Sequence, residues 1–115
     1  MSEPKKLRLE RPIISFDLET TGLDVRADRI VEISCVKLLP NGEHETRTKR
    51  LNPQKPISPA ASAVHGIYDQ DVSDEPTFGQ IAKSLVEFMV DCDLTGYNIE
   101  RFDLPLLVRE FKRED

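Results

Sequence analysis

The sequence predicts an α/β domain built on a mixed sheet. Three observations carry that prediction. Three strand-like segments precede any long helical pattern. The second half then reads helix, short strand, helix from its hydrophobic spacing. Turn and capping residues fall at the joins between these segments. An order of three strands, helix, strand and helix is that of an open sheet with helices laid on it. The chain has 115 residues, 38% hydrophobic and 32% charged, which suits one globular domain with a modest core.

Residues 1–11 form a polar, basic lead-in expected to fray, and the domain proper is expected over residues 12–115. Pro12 introduces Ile13 to Glu19, whose aromatic and β-branched content reads as a strand buried on both faces. Thr20 to Asp28 is a loop containing Gly22. Arg29 to Leu39 is a second strand rich in Ile and Val. Pro40-Asn41-Gly42 marks a hairpin, and Glu43 to Leu51 is a polar strand suited to a solvated sheet edge. These three strands form an antiparallel meander. Asn52 to Pro59 carries three prolines and reads as a loop. Ser58 can cap a short helix from Pro59 to Val64, ending near His65-Gly66. Thr77-Phe78-Gly79-Gln80 has the form of a capping box. It opens a helix with Phe78, Ile81, Leu85, Phe88 and Cys92 on its apolar face. Leu94 to Tyr97 is a short strand. Arg101 to Lys112 is the closing helix, with Leu104, Leu107, Val108 and Phe111 on one face and Pro105 in its first turn.

Composition narrows the function. The net charge is −5, so no basic field draws in long nucleic acid. A protein that wraps duplex is disfavoured, whereas one that grips a strand end through bound cations is not. Cys35 and Cys92 form no CxxC pair and read as buried free thiols of a reducing compartment. Residues 1–11 hold no apolar leader, and no run approaches the ~20 apolar residues of a membrane span. A cytoplasmic protein with no membrane partner is expected. No glycine-rich P-loop supports a generic phosphate-binding fold.

Two sets of acids carry the chemistry. Asp17 and Glu19 lie two apart on a strand, so both point to one face while Phe16 and Leu18 point to the other. Carboxylates that close repel each other and are costly to bury unpaired, so something positive belongs between them. Hard oxygen donors on a rigid strand suit Mg²⁺ or Mn²⁺. A wet strand end meeting a loop lysine is the plainer alternative. The apolar strand start and the Gly22 turn favour the metal reading. Asp103 falls in the first turn of the closing helix, either as a third ligand or as an acid complementing the helix dipole. Asn98 before it reads as a cap or turn residue, and His65 as a ligand-contacting or a surface histidine.

With these residues in view, a resemblance emerges. The run Phe16-Asp17-Leu18-Glu19-Thr20-Thr21-Gly22-Leu23 resembles the first motif of the DEDD exonuclease superfamily, which includes the proofreading epsilon subunit of bacterial DNA polymerase III. Asn98-Ile99-Glu100-Arg101-Phe102-Asp103 is similar to the second motif, Ala63-Val64-His65-Gly66-Ile67 to the segment between them, and Pro76-Thr77-Phe78 also falls where such proteins place it. The resemblance spans about Ile13 to Phe111. It implies an RNase H-like fold and removal of nucleoside 5′-monophosphates one at a time from a 3′ end, of DNA before RNA. It implies Asp17, Glu19 and Asp103 as catalytic metal ligands, with two Mg²⁺ or Mn²⁺ ions about 4 Å apart clamping the terminal phosphodiester. Thr20, Thr21, Gly22 and Leu23 would shape the pocket for the terminal nucleotide, by backbone and hydroxyl contacts. His65 would touch the substrate strand, Asn98 would fix the turn presenting Asp103, and Phe102 would pack near the site. The implied partners are a single-stranded 3′ end and a DNA polymerase.

The family's third motif carries a fourth acid preceded by a His or Tyr, and nothing after Asp103 supplies it: Glu110, Glu114 and Asp115 follow too closely. The chain therefore reads as cut at its C-terminus, leaving the RNase H-like domain incomplete. Impaired activity is expected of these residues alone, as is apolar surface prone to self-association. The alternative reading is a non-catalytic exonuclease-like module that docks a polymerase or another partner. Metal titration separates the two, because a scaffold has no need to hold three mutually repelling acids.

Overall fold

The computed structural model describes residues 10–96 and 99–114. Four strands form one mixed sheet in the order β3-β2-β1-β4. Strand β1 (Ile13–Thr20) pairs antiparallel with β2 (Ile30–Leu38), and β2 with β3 (His44–Arg50). Strand β4 (Asp93–Thr95) pairs parallel to the start of β1. The antiparallel meander is as expected from the β-branched runs and the Pro40-Asn41-Gly42 turn, and its hairpin turns on Gly42 at φ 92°. All seven residues of β3 are exposed, and it occupies the sheet edge.

Burial on β1 alternates, which corrects the expectation of a strand buried on both faces. Ile14, Phe16 and Leu18 enter the core while Ser15 and Asp17 face solvent, the half-buried pattern of a sheet covered by helices on one side. The principal core joins those residues to Ile33 and Cys35 of β2 and to Phe78, Leu85 and Phe88 of α3 (Phe78–Met89). Leu106 and Leu107 of α4 (Leu104–Arg113) complete it. Near its start β2 carries an irregularity: Glu19 pairs with Glu32 but Thr20 pairs with Ile30. Val31 is the extra residue, so Ile30 joins the principal core while Val31 enters a second cluster with Ile57, Ile67 and Val72. That cluster underlies α1 (Pro59–His65) and the four-residue helix α2 (Asp69–Val72).

Helix α1 begins and ends as its sequence predicts. Ser58 Oγ accepts from the Ala61 N–H at 3.1 Å, and Gly66 closes the helix at φ 75°. Helix α3 opens on the expected capping box between Thr77 and Gln80. Cys92 lies beyond the end of α3 and is only half-buried, unlike the buried thiol expected on that helix face. The closing helix begins with a single π-helical turn, Ile99–Asp103. Its buried face also differs from expectation: Leu106, Leu107 and Glu110 are buried, whereas Val108 is 42% exposed. A buried glutamate with partners rotates the helix toward its own side. Among the described residues, no helix is long and apolar enough to cross a membrane.

Candidate active site

The end of β1 places the first two acids. Asp17 and Glu19 project from its open face, opposite Ser34 and Glu32 of β2. Asp103 ends the π-helical turn, is buried, and faces the same strand. Their electrostatics tie them together. Burial first, then the charge of Asp17, pushes Glu19 above the usual carboxylate range, with Glu32 adding to the rise and His65 opposing it. Burial likewise raises Asp103, followed by Asp17 and Glu19, while a backbone hydrogen bond from Leu18 works against them.

None of the three makes an ion pair among the described residues. The donor set therefore fits a divalent cation in kind: hard oxygens that raise one another's affinity for positive charge, with no lysine or arginine among the described residues paired to them. Among the described residues, no three His, Cys, Asp or Glu side chains are gathered closely enough to hold an ion as they stand. The fold brings the three predicted ligands into one field without closing them into a cage.

The loop after β1 is held by its own side chains. Thr20 Oγ1 donates to the Gly22 carbonyl at 2.7 Å, and Thr21 Oγ1 donates to Asp28 Oδ1 at 2.7 Å. Asp28 Oδ2 accepts from the Asp24 N–H at 2.8 Å, and Lys55 reaches Oδ1 at 3.1 Å. Burial alone would raise the Asp28 carboxyl, yet these hydrogen bonds and the Lys55 charge hold it below the usual carboxylate range. A Cβ at Gly22 would stand 2.5 Å from Asp28 Oδ2, so a larger residue there would push that carboxylate off its partners. In this loop Leu23 is 89% exposed, an apolar side chain directed at solvent.

His65 ends α1 behind this loop. Its Nδ1 accepts from the Ile67 N–H at 3.1 Å, and its Nε2 donates to the Thr20 carbonyl at 2.9 Å. Both ring nitrogens are thus engaged inside the chain, bracing Thr20 from behind. Phe102 is half-buried and packs on the principal core beside Asp103. Asn98 lies outside the described residues, as do residues 1–9 of the lead-in and Tyr97 of the expected fourth strand.

Sequence reading passed over Asp28, Arg29 and Glu110. Glu110 is fully buried on α4, where it pairs with Arg29 at 2.8 Å and accepts from the Ile30 N–H at 2.9 Å. Its signal in the sequence is a charge at helical spacing from Leu106 and Leu107, on the apolar stripe itself.

Residues 14–114 match the family model described as exonuclease, of the RNase T type. The chain is 32% identical over 113 residues to the PolC-type DNA polymerase III of Bacillus cereus, across 97% of this chain and 8% of that protein. It is 35% identical over 111 residues to the DNA polymerase III epsilon subunit of Rickettsia conorii, across 89% of this chain and 46% of that subunit. The chain thus spans less than half the length of either relative. Its fold is similar to that of exonuclease I of E. coli, solved with a dT13 oligonucleotide: TM-score 0.81 at 20% identity, across 91% of this chain and 24% of the other. The four-stranded mixed sheet with its helices is accordingly the RNase H-like arrangement.

Proposed function

The chain belongs to the RNase T exonuclease family, and on that premise we propose that it contributes the acid-bearing part of a metal-dependent 3′–5′ exonuclease acting on single-stranded DNA ends. The observation that carries the reading is the shared field of Asp17, Glu19 and Asp103, three acids with no basic partner among the described residues. These residues would hold Mg²⁺ or Mn²⁺, two ions in a complete site; bound there, the ions lower the pKa of a water and neutralise charge at the terminal phosphate. In the reaction a water oxygen bonds to that phosphorus, the bond to the preceding 3′ oxygen breaks, and a nucleoside 5′-monophosphate leaves.

The remaining residues shape the pocket. Leu23, exposed in its loop, offers an apolar surface for the terminal base. The backbone of Thr20, Thr21 and Gly22 frames the sugar and phosphate, and His65 fixes Thr20 from behind. Phe102 packs on the core beside Asp103. The exonuclease I relative bound to dT13 supports a single strand as the substrate. The names of the polymerase III relatives support proofreading beside a polymerase, and the two free thiols suit the cytoplasm.

The test uses a 3′-labelled oligonucleotide with Mn²⁺, and Mn²⁺ titration followed by electron paramagnetic resonance. Mononucleotide release is expected, with measurable Mn²⁺ binding. Asp17→Ala should abolish both. Release and binding that survive Asp17→Ala overturn the reading.

A further inference from the structure

We propose that Glu110, clamped to Arg29, is a positioning residue that sets Asp103 against the acids of β1. The inference rests on the exonuclease reading and deepens it. Glu110 lies about two helical turns beyond Asp103 and on the same helix face. Asp103 faces β1, with Leu18 and the two acids as its neighbours. Glu110 faces the start of β2: its Oε1 accepts from Arg29 Nε at 2.9 Å, and its Oε2 accepts from the Ile30 N–H at 2.9 Å. One helix is therefore tied to two adjacent strands by two acids.

The place where Glu110 attaches is what links it to the site. Ile30 is the residue paired with Thr20 at the irregularity in β2, immediately beyond the Glu19–Glu32 pair. The carboxylate of Glu110 thus takes the backbone N–H at the point where the ladder shifts register. Arg29 extends the connection: its N–H donates to Thr21 Oγ1 at 3.0 Å, and its carbonyl accepts from the Thr21 N–H at 2.9 Å. Arg113 on the same helix adds a second tie, reaching Glu110 at 3.5 Å and the Arg26 carbonyl at 3.0 Å. Glu110 consequently fixes three things relative to one another: the helix carrying Asp103, the irregularity opposite Glu19, and the loop of Thr20 to Leu23. A general core role would require only burial, for which leucine would serve. A glutamate whose oxygens are divided between a side chain and a backbone N–H specifies distance and angle.

The experiment is Mn²⁺ titration by electron paramagnetic resonance on the full chain, with oligonucleotide cleavage measured beside it. Glu110→Gln keeps the shape but weakens the clamp, and Arg29→Lys keeps a cation while losing the fork. Supporting partners of metal ligands typically change affinity 10–100-fold, so each variant should weaken Mn²⁺ binding roughly tenfold and lower kcat, with KM for the oligonucleotide unchanged. If Glu110→Gln does not fold, Arg29→Lys carries the measurement. A folded variant whose melting temperature falls while Mn²⁺ affinity and kcat stay at parental values overturns the positioning role. Failure of the exonuclease reading is seen separately: Asp17→Ala would then leave Mn²⁺ binding unchanged, and both conclusions would fall.

Discussion

Glu19 and Asp103 are held by the fold in a setting that favours their protonated forms, because burial and neighbouring carboxylates penalise the charge. Asp28, a few residues along the same loop, is held the opposite way by Thr21, Asp24 and Lys55. Opposite shifts give opposite pH dependences of stability. A raised folded-state pKa contributes stability that is complete below the unfolded value and is lost as pH rises through the folded one. For Asp103 and Glu19 that window opens at the ordinary values of 3.8 and 4.5 and extends above them. The lowered Asp28 contributes stability above 3.8, which is lost as pH falls through its folded value. Asp103→Asn should therefore gain on the parent as pH rises through the window above 3.8, measured by urea denaturation in chelator. Asp28→Asn should lose most at neutral pH and converge with the parent in acid. Parallel curves across the range would refute the assignment. Of these residues, Asp17, Glu19 and Asp103 were legible from spacing and motif, since strand alternation alone puts the first two on one face. Asp28 was not, because a loop aspartate carries no period, and its partners Thr21 and Lys55 meet it only through the fold.

The elements divide between those that frame the acids and those that only support the sheet. Helix α3 belongs to the second group: Phe78, Leu85 and Phe88 fill the core beneath the strands, while the acids project from β1 on the other face. Its capping box satisfies two backbone groups at the helix start, with the Thr77 N–H donating to Gln80 Oε1 at 3.0 Å. Thr77→Ala should cost about 1 kcal/mol of stability, read by chemical denaturation, and leave Mn²⁺ affinity unchanged. A large loss of metal binding would show that α3 reaches the site. This helix, the meander and α1 were legible because each combines a strong hydrophobic period with its own turn or cap residues. The four-residue α2 is shorter than any window in which a period can be counted. The π-helical turn leading into α4 leaves no comparable pattern, and the buried side of α4 was masked by Glu110, a residue type that usually marks the solvent face.

At the scale of the whole molecule, on the proposed exonuclease reading, charge would decide how a substrate strand is held. The net charge is −5, and many described basic side chains are already committed. Arg29 pairs with Glu110, Arg47 with Glu45, Lys49 with Glu75, Arg50 with Glu32 and Lys55 with Asp28. The overall balance stays acidic, and on the proposed reading three acids would stand where the terminal phosphate sits. Binding should therefore depend on divalent cations, which reverse the local sign, and on the contacts of the Thr20 to Leu23 loop with one terminal nucleotide. Counterion release scales with the phosphates neutralised, at about 0.7 per phosphate for single strands. With only the end gripped, the slope of log affinity against log salt should be shallower than about −2. Fluorescence anisotropy of a labelled single strand measures it, with Ca²⁺ supplying a divalent charge and excess chelator removing it. Affinity should fall sharply in chelator and change little with salt when the cation is present. On that reading a 3′-phosphate on the probe should weaken binding further, by adding charge and bulk at the gripped end. Tight binding in chelator with a steep salt slope would mean instead that a basic track carries the strand, and that the acids do not govern its approach.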